Sequence, residues 1–338
     1  MWSGWVGRFF GCGGSLDLMR ITKRKIILTS ILAILILFLI ASIIGWAKIV
    51  DTLRTASPAF IALSILVYLI SWPLRGIRYR QILAQIGVKE DLNFLVGCIA
   101  VSQSANVFLP ARLGDVARAY LLKKMKNISL ITGFSSLAVE RIFDVLAIAM
   151  IGGVAMLGLR GMLLDQQTTD ILTITGLTIV AVFGLLVLFL KLRTTIGGVI
   201  DRFIREIAVV STNPRAFIIV FAGSLLVWLV DTLTCFVILN AFSETISSSM
   251  IPIVFLAIAV GNLTKIFQIT PGSIGPYEIA LTTIFSLGGI DSAIGLVAAG
   301  FDHLVKNSVT LILGSAYLSR FGLSWSQLVD QSGGIPKN

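Results

Sequence analysis

Histidine, cysteine and charge are all scarce in this chain, and each shortage narrows what it can be. The 338 residues hold one histidine, His303, and three cysteines; Cys98 and Cys235 sit inside apolar runs and Cys12 stands alone. No spacing suggests a His-based metal centre or a disulfide framework. Neither a Gly-x-x-x-x-Gly-Lys phosphate loop nor a Gly-x-Ser-x-Gly elbow occurs, so ATP hydrolysis and serine-hydrolase chemistry have no anchor, and nothing calls for a cofactor. Charged residues make up 13% of the chain against 56% hydrophobic, and the apolar runs between them are long enough to cross a hydrocarbon core of about 30 Å. The net charge of +10 is no footprint for nucleic acid, because the Lys and Arg residues sit largely in short loops between apolar runs, where they set topology.

In chain order, residues 1–25 read as a cytoplasmic segment whose Lys23, Arg24 and Lys25 precede an apolar run over 26–47, too long for a signal-peptide core of about 7 to 15 residues. A second run, 58–74, ends at Trp72, Arg75, Arg78 and Arg80, which read as an aromatic and basic border at the cytoplasmic interface. Further spans are expected over 131–159, 171–190, 217–241 and 292–317. The loops holding Arg160, Asp165 and Asp170, and Glu244, are placed outside. Within 195–210, Ile196, Val199, Ile200, Phe203, Ile204 and Ile207 recur at helical spacing with Arg202 and Arg205 between them, the pattern of an amphipathic helix on the inner surface. Residues 321–338 read as a cytoplasmic tail.

Two apolar segments are broken by residues a bilayer should reject. The first carries Asn106, Pro110, Arg112, Gly114, Asp115 and Arg118, and both of its flanks are basic: Arg75, Arg78, Arg80 and Lys89 before it, Lys123, Lys124 and Lys126 after it. One crossing cannot begin and end on the same side, so a re-entrant hairpin over 92–122 is expected; irregular backbone at depth is tolerated only against protein or a wet cavity. A second hairpin is expected over 251–287, broken at Pro271, Gly272, Gly275 and Glu278. Pro110 and Gly114 match Pro271 and Gly275 at a shift of 161 residues, and Glu140 and Asp144 in the next span match Asp302 and Lys306 at 162. The expected fold is all-α: a polytopic membrane protein of about six transmembrane helices plus two re-entrant hairpins in an inverted repeat. One domain, 26–320, sits in the cell membrane with both termini cytoplasmic.

Charge at membrane depth marks a functional site by default. The candidate translocation residues are Asn106, Pro110, Arg112, Gly114, Asp115, Arg118, Glu140, Arg141, Asp144, Pro271, Gly272, Gly275, Glu278, Asp302, His303 and Lys306, with no metal site among them. Guanidinium groups of Arg112, Arg118 and Arg141 suit phosphate. Structural roles stand beside these. Arg118 reads equally as a snorkelling topology signal, Arg112 with Asp115 and Arg141 with Glu140 or Asp144 as ion pairs, and Lys265, Asp302 and Lys306 as a mutually paired set. His303 reads as a proton-coupling group or as a satisfied interior histidine.

The combined motifs resemble the lysylphosphatidylglycerol synthase membrane-region family: Trp72 with Arg75 and Arg78, Asn-x-x-x-Pro-x-Arg-x-Gly-Asp-x-x-Arg from Asn106 to Arg118, Glu-Arg-x-x-Asp from Glu140 to Asp144, and Pro-Gly-x-x-Gly-x-x-Glu from Pro271 to Glu278. Asp115 stands where that family usually has Glu, and His303 where its final span usually has Arg. The resemblance implies a flippase-like function: moving a phospholipid or polyprenyl-linked headgroup between leaflets, without enzymatic activity of its own. The implied partners are the lipid and a lipid-headgroup synthase or glycosyltransferase. Alternatives are a membrane-embedded transferase, for which Glu140 and Asp144 offer an acid pair, and an anchor for a separate transferase.

Overall fold

The computed structural model describes residues 23–109, 112–159, 198–242, 250–266, 268 and 270–325, with isolated positions between 170 and 188. The segment 1–22, Pro110, most of the loop and span expected over 160–190, the Glu244 loop and residues 326–338 lie outside the described residues.

Where the sequence suggests one span to residue 47, α1 (Lys23–Ile44) stops at Gly45, whose φ of 101° turns the chain into the short amphipathic α2 (Trp46–Arg54). Helix α3 (Pro58–Gln85) starts with proline at a position that has no N–H bond to lose, and runs on past Leu74 to Gln85. Trp72 and Arg78 are therefore buried and Arg75 nearly so, and only Arg80 of the expected interfacial border is exposed. Gly76 permits this burial by letting α4 (Leu92–Phe108) close in: a Cβ there would lie 2.4 Å from Val96 Cγ2. Asp91 caps α4, accepting from the Phe94 N–H at 3.1 Å.

Helix α5 (Gly114–Lys126) folds back along α4, and the pair is the expected first hairpin. Its feet meet where Lys126 Nζ lies 3.1 Å from Glu90 Oε2. Near its tip a Cβ on Gly114 would sit 2.3 Å from the Ser102 carbonyl oxygen, so only glycine lets the two arms approach. Helix α6 (Leu130–Leu159) carries Glu140, Arg141 and Asp144. Amphipathic α7 (Gly198–Thr212) packs on α6, where Glu206 accepts from the Ser135 hydroxyl and, at 3.0 Å, from the Thr132 hydroxyl. Helix α8 (Pro214–Leu239) is capped by the Asn213 side chain. The second hairpin is α9 (Ile251–Ile266), a 3-10 turn (Pro271–Ser273) and α10 (Pro276–Leu287), with feet so close that a Cβ on Gly288 would meet Ile253 at 2.4 Å. The chain continues into α11 (Ser292–Arg320), capped by Asp291.

The packing is reciprocal. Helix α11, after the second hairpin, lies on α4 of the first; α6, after the first hairpin, lies on α9 of the second; α3 and α8 pack on each other antiparallel, with the Ser57 N–H donating to the Ala241 carbonyl at 2.9 Å. The far end of α11 reaches the feet of the first hairpin, where the Tyr317 hydroxyl donates to Asn93 Oδ1 at 2.5 Å. The far end of α6 reaches the feet of the second, where Gly158 packs on Pro252. Both long helices thus run from one pair of feet to the other, and the hairpins enter the bundle from opposite ends. This is the inverted repeat.

Among the described residues, α3, α6, α8 and α11 are long and apolar enough to cross a membrane. Their outer faces expose Leu66, Ile218, Leu229, Leu304 and Ile312, as lipid-facing helices do. Inside lie two apolar cores, one under the first hairpin around Leu95, Leu121 and Phe143, the other under the second around Ile253, Phe285 and Ala298. Charge is concentrated between them.

Candidate functional site

The two hairpin tips meet in the middle of the bundle. Gln268 Nε2 donates to the Asn106 carbonyl and, at 3.3 Å, to the Leu109 carbonyl; Arg112 Nη1 donates to the Lys265 carbonyl at 3.3 Å. The turns repeat one another in backbone as well. Arg112 and Ser273, equivalent at a shift of 161, both take left-handed conformations, with φ of 54° and 60°. Non-glycine residues rarely do so, and such strain clusters at functional turns. Gly272 (φ 60°) and Gly275 (φ 95°) supply the rest of the second break, at conformations that suit glycine.

Beside the joined tips lies a cavity of about 240 Å³. Arg75 and Trp72 of α3, Asn106 and Gln103 of α4, Arg112 and Asp115 of the first break, and Arg141 and Asp144 of α6 line one part. Trp228 and Asp231 of α8, Asn262 and Lys265 of α9, Gly272 and Ser273 of the second break, and His303, Lys306 and Asn307 of α11 line the other. Eight of the residues expected from sequence are thus brought together: Asn106, Arg112, Asp115, Arg141, Asp144, Gly272, His303 and Lys306.

The others hold the frame. Glu140 is buried among three guanidinium groups, with Oε2 2.7 Å from Arg118 Nη1 and Oε1 2.5 Å from Arg141 Nη2 and 3.2 Å from Arg78 Nη2. Arg118 is fully buried and lies over the Tyr79 ring, so it neither snorkels nor faces the cavity. Asp144 takes Arg78 at 2.5 Å, Arg141 at 3.1 Å and the Trp228 indole N–H at 3.0 Å. In the second half Glu278 accepts from the Gly275 N–H at 2.7 Å, capping α10, and its other oxygen lies 2.5 Å from His303 Nδ1. Asp302 is fully buried between Lys306 at 2.9 Å and the Tyr277 hydroxyl at 2.6 Å. Pro271, Gly114 and Gly275 shape the breaks and do not line the cavity.

Lys265 departs from the expected mutual pairing. Among the described residues it makes no ion pair, and its ammonium lies 3.6 Å from the centre of the Tyr277 ring, a cation–π contact.

Sequence reasoning missed Trp228, Asp231 and Asn262. Asp231 pairs with Lys306 at 2.8 Å and with Arg75 at 3.7 Å. The signal was present: Trp72-x-x-Arg75-x-x-Arg78 and Trp228-x-x-Asp231-x-x-Thr234 align at a shift of 156, as do the helix starts at Pro58 and Pro214. Arg75 and Asp231 are therefore equivalent positions facing each other across the junction of the halves. Asp144 and Lys306 are another equivalent pair of opposite sign, so the repeat has exchanged charge between its halves.

A polytopic helical bundle with two opposed, broken hairpins around a charged interior cavity is the architecture of a membrane protein that handles polar groups at bilayer depth. Residues 26–314 match the family described as "Lysylphosphatidylglycerol synthase TM region", and the chain belongs to that family. It is similar to "Glycosyltransferase AglD" of Haloferax volcanii, 36% identical over 93% of this chain and 57% of that protein. The chain thus spans little more than half of that relative's length. Similarity also extends to a "UPF0104 membrane protein" of Methanothermobacter thermautotrophicus, 25% identical over 88% of this chain and 93% of the relative. Another, of Methanocaldococcus jannaschii, is 30% identical over 55% of this chain and 80% of its own length. This is a multi-pass, lipid-related membrane protein. One expectation is corrected: a relative named as a glycosyltransferase and a family described by a synthase point to an enzyme-associated function, against the reading that the chain is no enzyme.

Proposed function

We propose that this chain takes the phosphate-bearing headgroup of a membrane lipid into the cavity between its hairpins and passes it between leaflets, in the service of an enzyme that builds or uses that headgroup. The observation that carries this reading is the cavity itself: side chains of both halves line it, and hairpins from opposite ends close it. A headgroup cannot cross hydrocarbon without polar partners, since each unsatisfied polar group there costs several kcal/mol (about 2–7). The cavity offers such partners while the acyl chains stay against the apolar outer faces. Arg75, Arg112, Arg141, Lys265 and Lys306 are its cationic contacts; Glu140, itself held by Arg118, positions Arg141, and Asp302 positions Lys306. The basic ends Lys89, Lys123, Lys124 and Arg320 support a reading in which the feet of the first hairpin face the cytoplasm of a cell-membrane protein with both termini inside.

The name of the Haloferax relative supports a narrower version, in which this region presents a lipid-linked substrate to a transferase elsewhere in such a protein. The test is a leaflet-exchange assay in proteoliposomes with labelled phospholipids and glycosyl-phosphate lipids. Faster exchange of at least one lipid than in protein-free vesicles, lost in Arg112→Ala, is the expected result. Saturable lipid binding without exchange would favour the narrower version, and neither binding nor exchange would remove both.

A further inference from the structure

The lining chemistry narrows which headgroup fits, and this step rests on the reading that the cavity receives one. Five cationic side chains and three carboxylates line it, an excess of positive charge with His303 left aside. None of the three carboxylates is free: Asp115 is held by Arg112 at 3.3 Å, Asp144 by Arg78 and Arg141, Asp231 by Lys306 and Arg75. Among the described residues, the lining charge without an ion pair is a cation, Lys265.

Four lining residues carry a buried polar atom without a protein partner among the described residues: Trp72 Nε1 and Arg141 Nε, which donate, Asn106 Oδ1, which accepts, and His303 Nε2. An incoming cation would add to the positive excess and find every acid occupied. An incoming phosphate meets a positive excess and Lys265, which makes no ion pair among the described residues, in surroundings where charge-assisted hydrogen bonds are strong.

Uncharged groups make up much of the remaining lining. The amides of Gln103, Asn106, Asn262 and Asn307 both donate and accept, as the hydroxyls of a polyol require, and Trp72 and Trp228 line the cavity with them. At about 240 Å³ the space is smaller than the roughly 300–1,000 Å³ of drug-sized pockets. We infer that the cavity is built for an anionic headgroup of one phosphate ester and one small neutral polyol, a glycosyl-phosphate or glycerol-phosphate group, and against cationic aminoacyl headgroups.

Equilibrium binding of radiolabelled probes to the full chain in zwitterionic nanodiscs tests this. The probes are decyl hexosyl phosphate, the decyl ester of lysine, and soluble hexose 1-phosphate. The hexosyl phosphate lipid should bind saturably and the lysine ester at least tenfold more weakly. Loss of one charged hydrogen bond in Lys265→Gln should weaken the former about tenfold or more; Trp72→Phe, which keeps a ring and removes the donor, should weaken it in the same direction with the fold intact. Lysine ester binding as tightly as the phosphate lipid would overturn this inference and leave the headgroup reading standing. No saturable binding of either decyl probe would overturn the headgroup reading itself. Equal affinity for hexose 1-phosphate and its decyl ester would keep the charge class and assign the cavity to a soluble phosphate ester instead of a lipid.

Discussion

At the scale of single residues, the charged groups divide by what surrounds them. Glu140 and Arg112 were both candidates from sequence, Arg112 at a membrane-depth break and Glu140 in the apolar span that follows it. The structure separates them. Glu140 is buried and shared by three guanidinium groups, whereas among the described residues Arg112 pairs with one carboxylate, 3.3 Å away, and has a partly open side chain on the cavity wall. Removing one member of a buried ion pair typically costs about 3–5 kcal/mol because its partners stay buried without compensation, while a partly exposed pair contributes about 1 kcal/mol or less. Glu140→Gln is therefore expected to lower unfolding stability in detergent by several kcal/mol, roughly 3–5. Arg112→Ala removes one pair and the bond to the Lys265 carbonyl, so it should cost less stability than Glu140→Gln and lose lipid binding. Denaturant titration of both, beside binding, checks this; equal stability losses would mean that Arg112 also belongs to the frame. Sequence showed that these residues are charged, but which carboxylate serves how many cations depends on α3 reaching Gln85 and carrying Arg78 to α6.

At the scale of elements, the hairpins were the most legible feature. Basic residues on both sides of 92–122 required the chain to return, and the break residues gave the positions of the tips; the Lys126–Glu90 contact at the feet is the structural counterpart. The extent of α3 was not legible, because arginines after an apolar run look alike whether they border the membrane or turn into a polar interior. Only the fit of α4 against Gly76 and of α8 against Arg78 decides. The charge-exchanged match of Trp72 and Arg75 with Trp228 and Asp231 was legible and passed over, since the shift is 156 there and 161 at the breaks. The opposed entry of the hairpins makes a topological prediction. With single cysteines at Lys124 and Leu287, both exposed near hairpin feet, impermeant thiol reagents should label Leu287→Cys on intact cells and Lys124→Cys only after permeabilisation. Labelling of both from one side would mean that the hairpins share an entrance and that the repeat is not inverted across the membrane.

At the scale of the molecule, two apolar cores enclose a charged layer, and at two equivalent pairs of positions, Arg75 with Asp231 and Asp144 with Lys306, the halves supply that layer with opposite signs. The arrangement gives a reason for burying so much charge: Arg75 and Lys306 are held by Asp231, Arg141 by Glu140 and Asp144, yet all three cations still face one cavity. A network that only braced the bundle would be replaceable by apolar packing at little cost, or even with a gain; a network that must release and recapture a headgroup would not. The most direct measurement is therefore photolabelling of the membrane-embedded chain by a lipid with a photoreactive group on its phosphate headgroup, followed by peptide mapping. Labels are predicted on the cavity wall, at Trp72, Arg112, Arg141 and Lys265, and are predicted to disappear when unlabelled lipid is added in excess. Labels confined to the outward faces of α3, α8 and α11, unaffected by competitor, would mean that no headgroup enters between the hairpins.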